Sequence, residues 1–73
     1  MNFRGTILAA LLLVGVVDQI SDDIVLIEYE KGGRLAYSHV SLDLSACHPV
    51  EGQIVHFFED YKIVSCEELE GVE

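Results

Sequence analysis

The chain has 73 residues, and thirteen acidic residues against four basic ones give it a net charge of −9. A chain of this length forms one domain at most, and so small a domain buries too little surface to enclose a deep catalytic cleft. We therefore expect a non-enzymatic protein without a cofactor. Nucleic-acid binding is disfavoured, because affinity for phosphate backbones comes largely from lysine and arginine side chains that release counterions.

The first fifteen residues follow the plan of a secretory signal. Arg4 and the terminal amine precede an uncharged run of twelve residues, 6–17, and Asp18 ends the run. A basic start and an apolar stretch of ~7–15 residues are typical of such signals, whereas a membrane-spanning helix needs ~20 apolar residues. The sequence predicts a hydrophobic N-terminal helix over 1–15, which acts as a signal peptide or a short membrane anchor.

Whether this segment is cleaved stays open. A cut after Gly15 places Leu13 two positions before it, where signal peptidases prefer a small residue. Without cleavage, residues 1–17 attach the protein to the membrane, and the positive charge before the run places the rest of the chain outside the cytoplasm. A buried helix of a soluble protein is the alternative. It is disfavoured because the run is apolar on all sides rather than along one stripe.

From residue 16 onward the composition changes to valine, isoleucine, tyrosine and phenylalanine with turn residues between them, which is typical of strands. We predict five strands, at 16–20, 24–30, 34–41, 53–58 and 61–66. Gly32 and Gly33 supply the positive φ of a tight hairpin turn. Residues 42–52, which contain the only proline, form a loop. The expected core consists of Val17, Ile20, Val25, Ile27, Tyr29, Ala36, Val40, Val55, Phe57, Ile63 and Val64.

The predicted fold class is mainly β. Five short strands within residues 16–66 favour a small SH3-like or OB-like barrel, because closing the sheet removes its exposed edges. A simple open meander is the alternative. Four carboxylates among residues 67–73 indicate an acidic, flexible tail.

The sequence V-V-D-Q-I-S-D-D-I-V-L-I-E-Y at 16–29, followed by G-G-R-L at 32–35 and E-G-Q-I-V at 51–55, resembles a group of small bacterial and phage domains of unknown function. Their usual pattern is V-D-x-I, a turn, a strand that ends in glutamate, and a later E-G-D-x-V. Gln53 departs from that pattern, which has aspartate there. The resemblance implies a small SH3-like or OB-like β domain and carries no activity with it.

Two cysteines, Cys47 and Cys66, are nineteen residues apart. An even number of cysteines in an exported chain predicts a disulfide, and a bond closing a loop of this length contributes about 3 kcal/mol in the chain-entropy model. The same cysteines permit a thiol-redox or metal-binding module as the alternative. A zinc site needs four nitrogen or sulfur ligands, and the sequence offers His39, His48 and His56 beside the cysteines, without a C-x-x-C pair to preorganise them.

Other chemical groupings have simpler explanations. Cys47 and His48 are adjacent, so their side chains point apart on an extended chain and do not form a nucleophile and its base. The pairs Asp22-Asp23 and Glu59-Asp60 fall at predicted turns, where aspartate is favoured by its hydrogen bonds to the backbone. The sequence therefore predicts an exported or membrane-tethered accessory protein that binds another protein or has a structural role. The family resemblance adds a bacterial or phage origin.

Overall fold

The computed structural model describes residues 11–68, which form one antiparallel sheet of five strands. The elements are β1 (Leu12–Ser21), β2 (Ile24–Lys31), β3 (Arg34–Ser41), the 3-10 turn η1 (Leu42–Leu44), β4 (Ile54–Phe58) and β5 (Lys62–Cys66). The strand order is β3-β2-β1-β4-β5, so β1 lies at the centre of the sheet. The mainly-β fold class and the five strands are confirmed.

The hairpin turns follow the chemistry of their residues. Gly32 and Gly33 have φ values of 61° and 80°, and they join Lys31 and Arg34, which are paired across β2 and β3. Asp22 and Asp60 adopt φ values of 56° and 53° in the other two hairpins. Aspartate enters this left-handed region more readily than most residues, since its short side chain hydrogen-bonds locally.

The prediction of a closed barrel is wrong, because β3 and β5 are the two edges of an open sheet. The loop after η1 occupies the edge of β5, where the Ala46 amide donates a hydrogen bond to the Ile63 carbonyl at 3.0 Å. The sheet nevertheless coils, so that the β4–β5 turn reaches β3. There the Asp60 carboxylate accepts hydrogen bonds from the Ser38 hydroxyl and the His39 amide, both at 3.2 Å. Hydrogen bonds to the Asp60 side chain therefore connect the β4–β5 turn to β3, although no ladder of backbone hydrogen bonds joins β3 to β5.

The predicted N-terminal helix is also corrected. Leu12 begins β1, and Leu12 to Val16 pair with Phe58 to Ile54 of β4. Side chains in this stretch alternate between the two faces of the sheet, and valine favours strands over helices. None of the helical segments in the described part of the chain is long and apolar enough to span a membrane. Residues 1–10 of the predicted signal lie outside the described residues.

The core confirms most of the predicted interior. Within residues 11–68, the eight buried hydrophobic side chains of the core were all predicted: Val17, Val25, Ile27, Tyr29, Val40, Val55, Phe57 and Ile63. Ile20 and Ala36 pack against this cluster while partly buried, and Val64 is half-buried. Ser38, which is not among the predicted core residues, is fully buried. Its hydroxyl accepts a 2.7 Å hydrogen bond from the Asp60 amide, which satisfies this polar group.

The predicted tail starts beside the sheet. The Glu67 amide donates to the Ile54 carbonyl at 2.9 Å, and the Gln53 side-chain amide donates to the Glu67 carbonyl at 2.7 Å. Glu67 is thus attached to β4, while residues 69–73 lie outside the described part of the chain.

Candidate binding surface

The predicted disulfide is present. Cys47 and Cys66 are bonded, with their Cα atoms 6.0 Å apart, and the bond joins the loop after η1 to the end of β5. Both cysteines are half-buried and pack against the core. Ser45 orders the loop at this point, because its hydroxyl donates a 2.7 Å hydrogen bond to the Cys47 carbonyl. A disulfide that is part of the core indicates an oxidising, extracytoplasmic compartment.

The alternative of a zinc site requires cysteine thiolates and histidine side chains close together, which differs from the observed arrangement. Both cysteines of the chain are in the disulfide, so neither sulfur is a thiolate. Within residues 11–68, no group of three or more histidine, cysteine and carboxylate side chains could hold a metal ion. His39 lies on β3, His48 on the loop and His56 on β4, and the fold does not gather them with the cysteines. Cys47 and His48 cannot act as a nucleophile pair while the sulfur is bonded.

The structure brings together a polar cluster around His56 that the sequence did not predict. His56 Nδ1 lies 3.2 Å from the Ser65 hydroxyl, and His56 Nε2 lies 3.7 Å from Glu67 Oε2. A serine, an imidazole and a carboxylate also make up hydrolytic triads, which need an oxyanion site and a pocket that excludes water. Here Ser65 is exposed on the outer side of β4 and β5. The cluster is a polar edge of that surface, and cross-strand pairing is the only signal that could have revealed it.

An exposed apolar patch lies on the side of the sheet that faces away from the core. It is formed by Leu12, Val14 and Val16 of β1 and by Ile54 of β4, which are 51, 56, 42 and 42% exposed. We call these four residues the outer face. Val16 and Ile54 are paired across β1 and β4, so the patch is continuous across the two strands. Antiparallel sheets with one solvated side usually alternate apolar and polar residues, and β1 breaks that pattern.

Charged side chains border the outer face. Glu28 is paired with Val16 on the β2 side, and Glu30 follows it on the same face of β2. Glu67 lies beyond β4, next to His56. Lys62 is the basic residue of this border, paired with Phe58. The border is therefore mainly acidic, as is the whole chain with its net charge of −9.

A concave region lies at one end of the sheet. It has a volume of about 560 Å³, and its apolar lining includes Leu11, Leu13 and Tyr61. At its polar end Glu59 accepts hydrogen bonds from the Tyr29 hydroxyl at 2.6 Å and from the Lys31 ammonium at 2.7 Å. Glu59 thus connects the β4–β5 turn to the end of β2.

These hydrogen bonds shift the pKa values of Tyr29, Lys31 and Glu59. The hydrogen bonds from Lys31 and then Tyr29 stabilise the carboxylate, and they lower the pKa of Glu59 from its ordinary value. The hydrogen bond to Glu59, followed by burial, raises the pKa of Tyr29. The same carboxylate raises the pKa of Lys31. Glu59 is thus the shared hydrogen-bond acceptor for both donors of this cluster.

Comparison of the chain with protein-family models, with curated proteins and with solved structures finds no match. The resemblance to small bacterial and phage domains thus stays a prediction.

Proposed function

We propose that this chain is an extracytoplasmic, disulfide-stabilised accessory protein that binds another protein and has no enzymatic activity. The observation that carries the proposal is the outer face, an exposed apolar patch on the central strand of the sheet. Scattered exposed hydrophobic side chains are ordinary, but contiguous apolar patches with polar borders are typical of interaction sites. The partner would cover Val14 and its neighbours and remove them from water.

The position of the patch supports binding over a purely architectural role. Val14 and Val16 could be polar without disturbing the core, because the inward side of β1 is filled by Leu13, Gly15 and Val17. Each exposed valine side chain leaves apolar area in water, and burial of such area contributes ~25 cal/mol per Å². The apolar outer side of β1 is therefore suited to binding a partner, which would bury this area.

Export is the second part of the proposal. The disulfide supports an oxidising compartment, and the basic start followed by an apolar run supports a route to it. The test is the full chain fused ahead of a reporter enzyme that works only outside the cytoplasm. We expect reporter activity, and we expect it to be lost when Arg4 and Leu8 are replaced by glutamate. Activity that is absent from the unmodified fusion, with the fusion protein present in the cytoplasm, would overturn export.

The binding part is tested by a photo-crosslinking amino acid placed at Val14 in the full chain and expressed in its native host. We expect a discrete higher-mass adduct from Val14. A matched probe at Asp43, an exposed residue of η1, should give none. The adduct from Val14 should also disappear when Val16 is replaced by threonine. Equal crosslinking from both positions, or none from either, would contradict a partner at the outer face.

A further inference from the structure

We infer that the outer face binds a cationic amphipathic protein helix, with an apolar stripe on β1 and β4 and lysine or arginine side chains over the acidic border. This inference rests on the proposed function and adds the chemical class of the partner. The class of partner follows from the apolar side chains of the outer face and the carboxylates that border them. Apolar contact supplies the affinity, while the complementary charges set orientation and specificity.

The dimensions of the patch fit a short helical contact. Leu12 to Val16 span ~13 Å at the rise of a β-strand, and two turns of an α-helix cover ~11 Å. Glu28 and Glu30 lie on one side of the β1 stripe, and Glu67 lies on the other side beyond His56. A helix aligned with β1 would therefore place apolar side chains over the valines and basic side chains toward carboxylates on both flanks. Helix against sheet is an ordinary way to bury such a face.

Charge argues against the two other possible occupants. A second copy would bring together two chains that each have a net charge of −9, and like charges oppose such an association. An anionic lipid surface is repelled for the same reason, since peripheral binding depends on basic residues. Lys31 is one of the few basic side chains in the described part of the chain, and its ammonium group is already paired with the Glu59 carboxylate at 2.7 Å. The acidic border and the net negative charge of the chain thus favour a positively charged partner.

The test uses the purified, oxidised full chain and two synthetic helices of roughly 14 residues, a length at which isolated helices are marginal and so respond to binding. One helix has a leucine stripe flanked by lysines, and the other has the same stripe flanked by glutamates. Calorimetric titration should show binding of the lysine helix, with an affinity that falls as salt is raised. The glutamate helix should bind at least about tenfold more weakly.

Two variants and their controls locate the contact. The double variant Val14→Thr and Val16→Thr keeps the shape and strand propensity of the side chains, and it should weaken binding of the lysine helix about tenfold or more. Val50→Thr makes the same change at an exposed loop valine and should leave the affinity within about twofold. Thermal unfolding of each variant shows that the fold is retained.

Neutralising the border tests the electrostatic half of the inference. Glu28→Gln should weaken binding of the lysine helix and flatten its salt dependence, because one complementary charge is removed. Asp22→Asn removes one charge at the β1–β2 turn, where asparagine also tolerates positive φ, and it should change neither quantity.

Several outcomes would overturn the inference. These are equal affinity for the two helices, binding of the lysine helix that is unaffected by the threonine variants, and binding of anionic phospholipid vesicles in preference to the lysine helix. A concentration-dependent dimer that the threonine variants abolish would assign the face to a second copy. A crosslinked partner at Val14 that carries no basic helix would leave the proposed function intact and remove this inference.

Discussion

Replacing Gly15 with alanine should destabilise the domain, because the inner side of β1 has no room for a methyl group there. A Cβ atom at this position would lie 2.5 Å from Ile27 Cγ2, 2.8 Å from the Glu28 carbonyl oxygen and 3.0 Å from Phe57 Cε1. Contacts below 3.0 Å force something to move. The carbonyl belongs to the strand beside β1, and the two side chains are fully buried, so none of these neighbours can yield easily.

The size of the effect follows from the same geometry. Adding a methyl group to a well-packed interior costs about 1–3 kcal/mol, and the backbone contact places Gly15→Ala at the upper end, about 2–3 kcal/mol. For a domain of this size each kcal/mol lowers Tm by ~4–8 °C, so we expect a decrease of roughly 10–20 °C. Thermal unfolding followed by circular dichroism, on oxidised protein, measures it. Gly32→Asn is the control, because its Cβ meets nothing within 4 Å and asparagine tolerates positive φ.

The same experiment separates the signal role that the sequence predicts for residue 15 from its place in β1. In a signal peptide cleaved after Gly15, alanine at that position would be favourable and the mature domain would be unchanged. In β1, alanine is destabilising. Mass spectrometry of the purified variant shows whether its N-terminus precedes residue 15. If it does, and the Tm of the variant stays within about 2 °C of that of the unmodified protein, the packing argument is refuted.

Three further predictions follow from the disulfide, the start of β1 and the Glu59 cluster. Replacing Cys47 and Cys66 together by serine should cost about 3 kcal/mol in urea unfolding, and a reductant should then no longer lower the stability; a reductant effect that persists in this variant would contradict the structural role. Deleting residues 1–10 should leave a cooperative thermal transition, whereas deleting 1–15 should abolish it by removing the pairing of the first half of β1 with β4. Because the pKa of Glu59 is lowered in the folded state, its contribution to stability is present above the ordinary glutamate range and is lost as the pH falls through the lowered value. Glu59→Gln should therefore flatten the acid side of the stability profile, and an unchanged slope below pH ~4 would count against the cluster.

Local sequence patterns were sufficient for most of the fold. The β2–β3 hairpin was predicted almost to the residue, because Gly32 and Gly33 restrict the turn and the alternation on either side sets the register. The buried hydrophobic residues followed from the same alternation. Cys47 and Cys66 were paired correctly, since the chain has two cysteines and the loop brings one of them back to β5.

The prediction of an N-terminal helix was wrong because one local sequence pattern is compatible with two structures. The run from Leu12 to Val17 is apolar on every side, which fits both a signal helix and a strand whose two faces are apolar. Only the pairing of Leu12 to Val16 with β4 decides in favour of the strand. The closure of the sheet was equally hidden, because it depends on whether the edge of β5 bonds to β3 or to the loop at Ala46.

By itself, the amino-acid sequence determined four of the five strands, the second half of β1, the hairpin turns, the core and the disulfide of this protein, because each depends on near neighbours or on a unique pair. The tertiary structure alone decided that the sheet is open, that Ser38 is buried against Asp60, and that Leu12, Val14 and Val16 meet Ile54 on an exposed face. These features depend on which distant strands lie side by side. That choice minimises the free energy of the whole sheet, and no single segment encodes it.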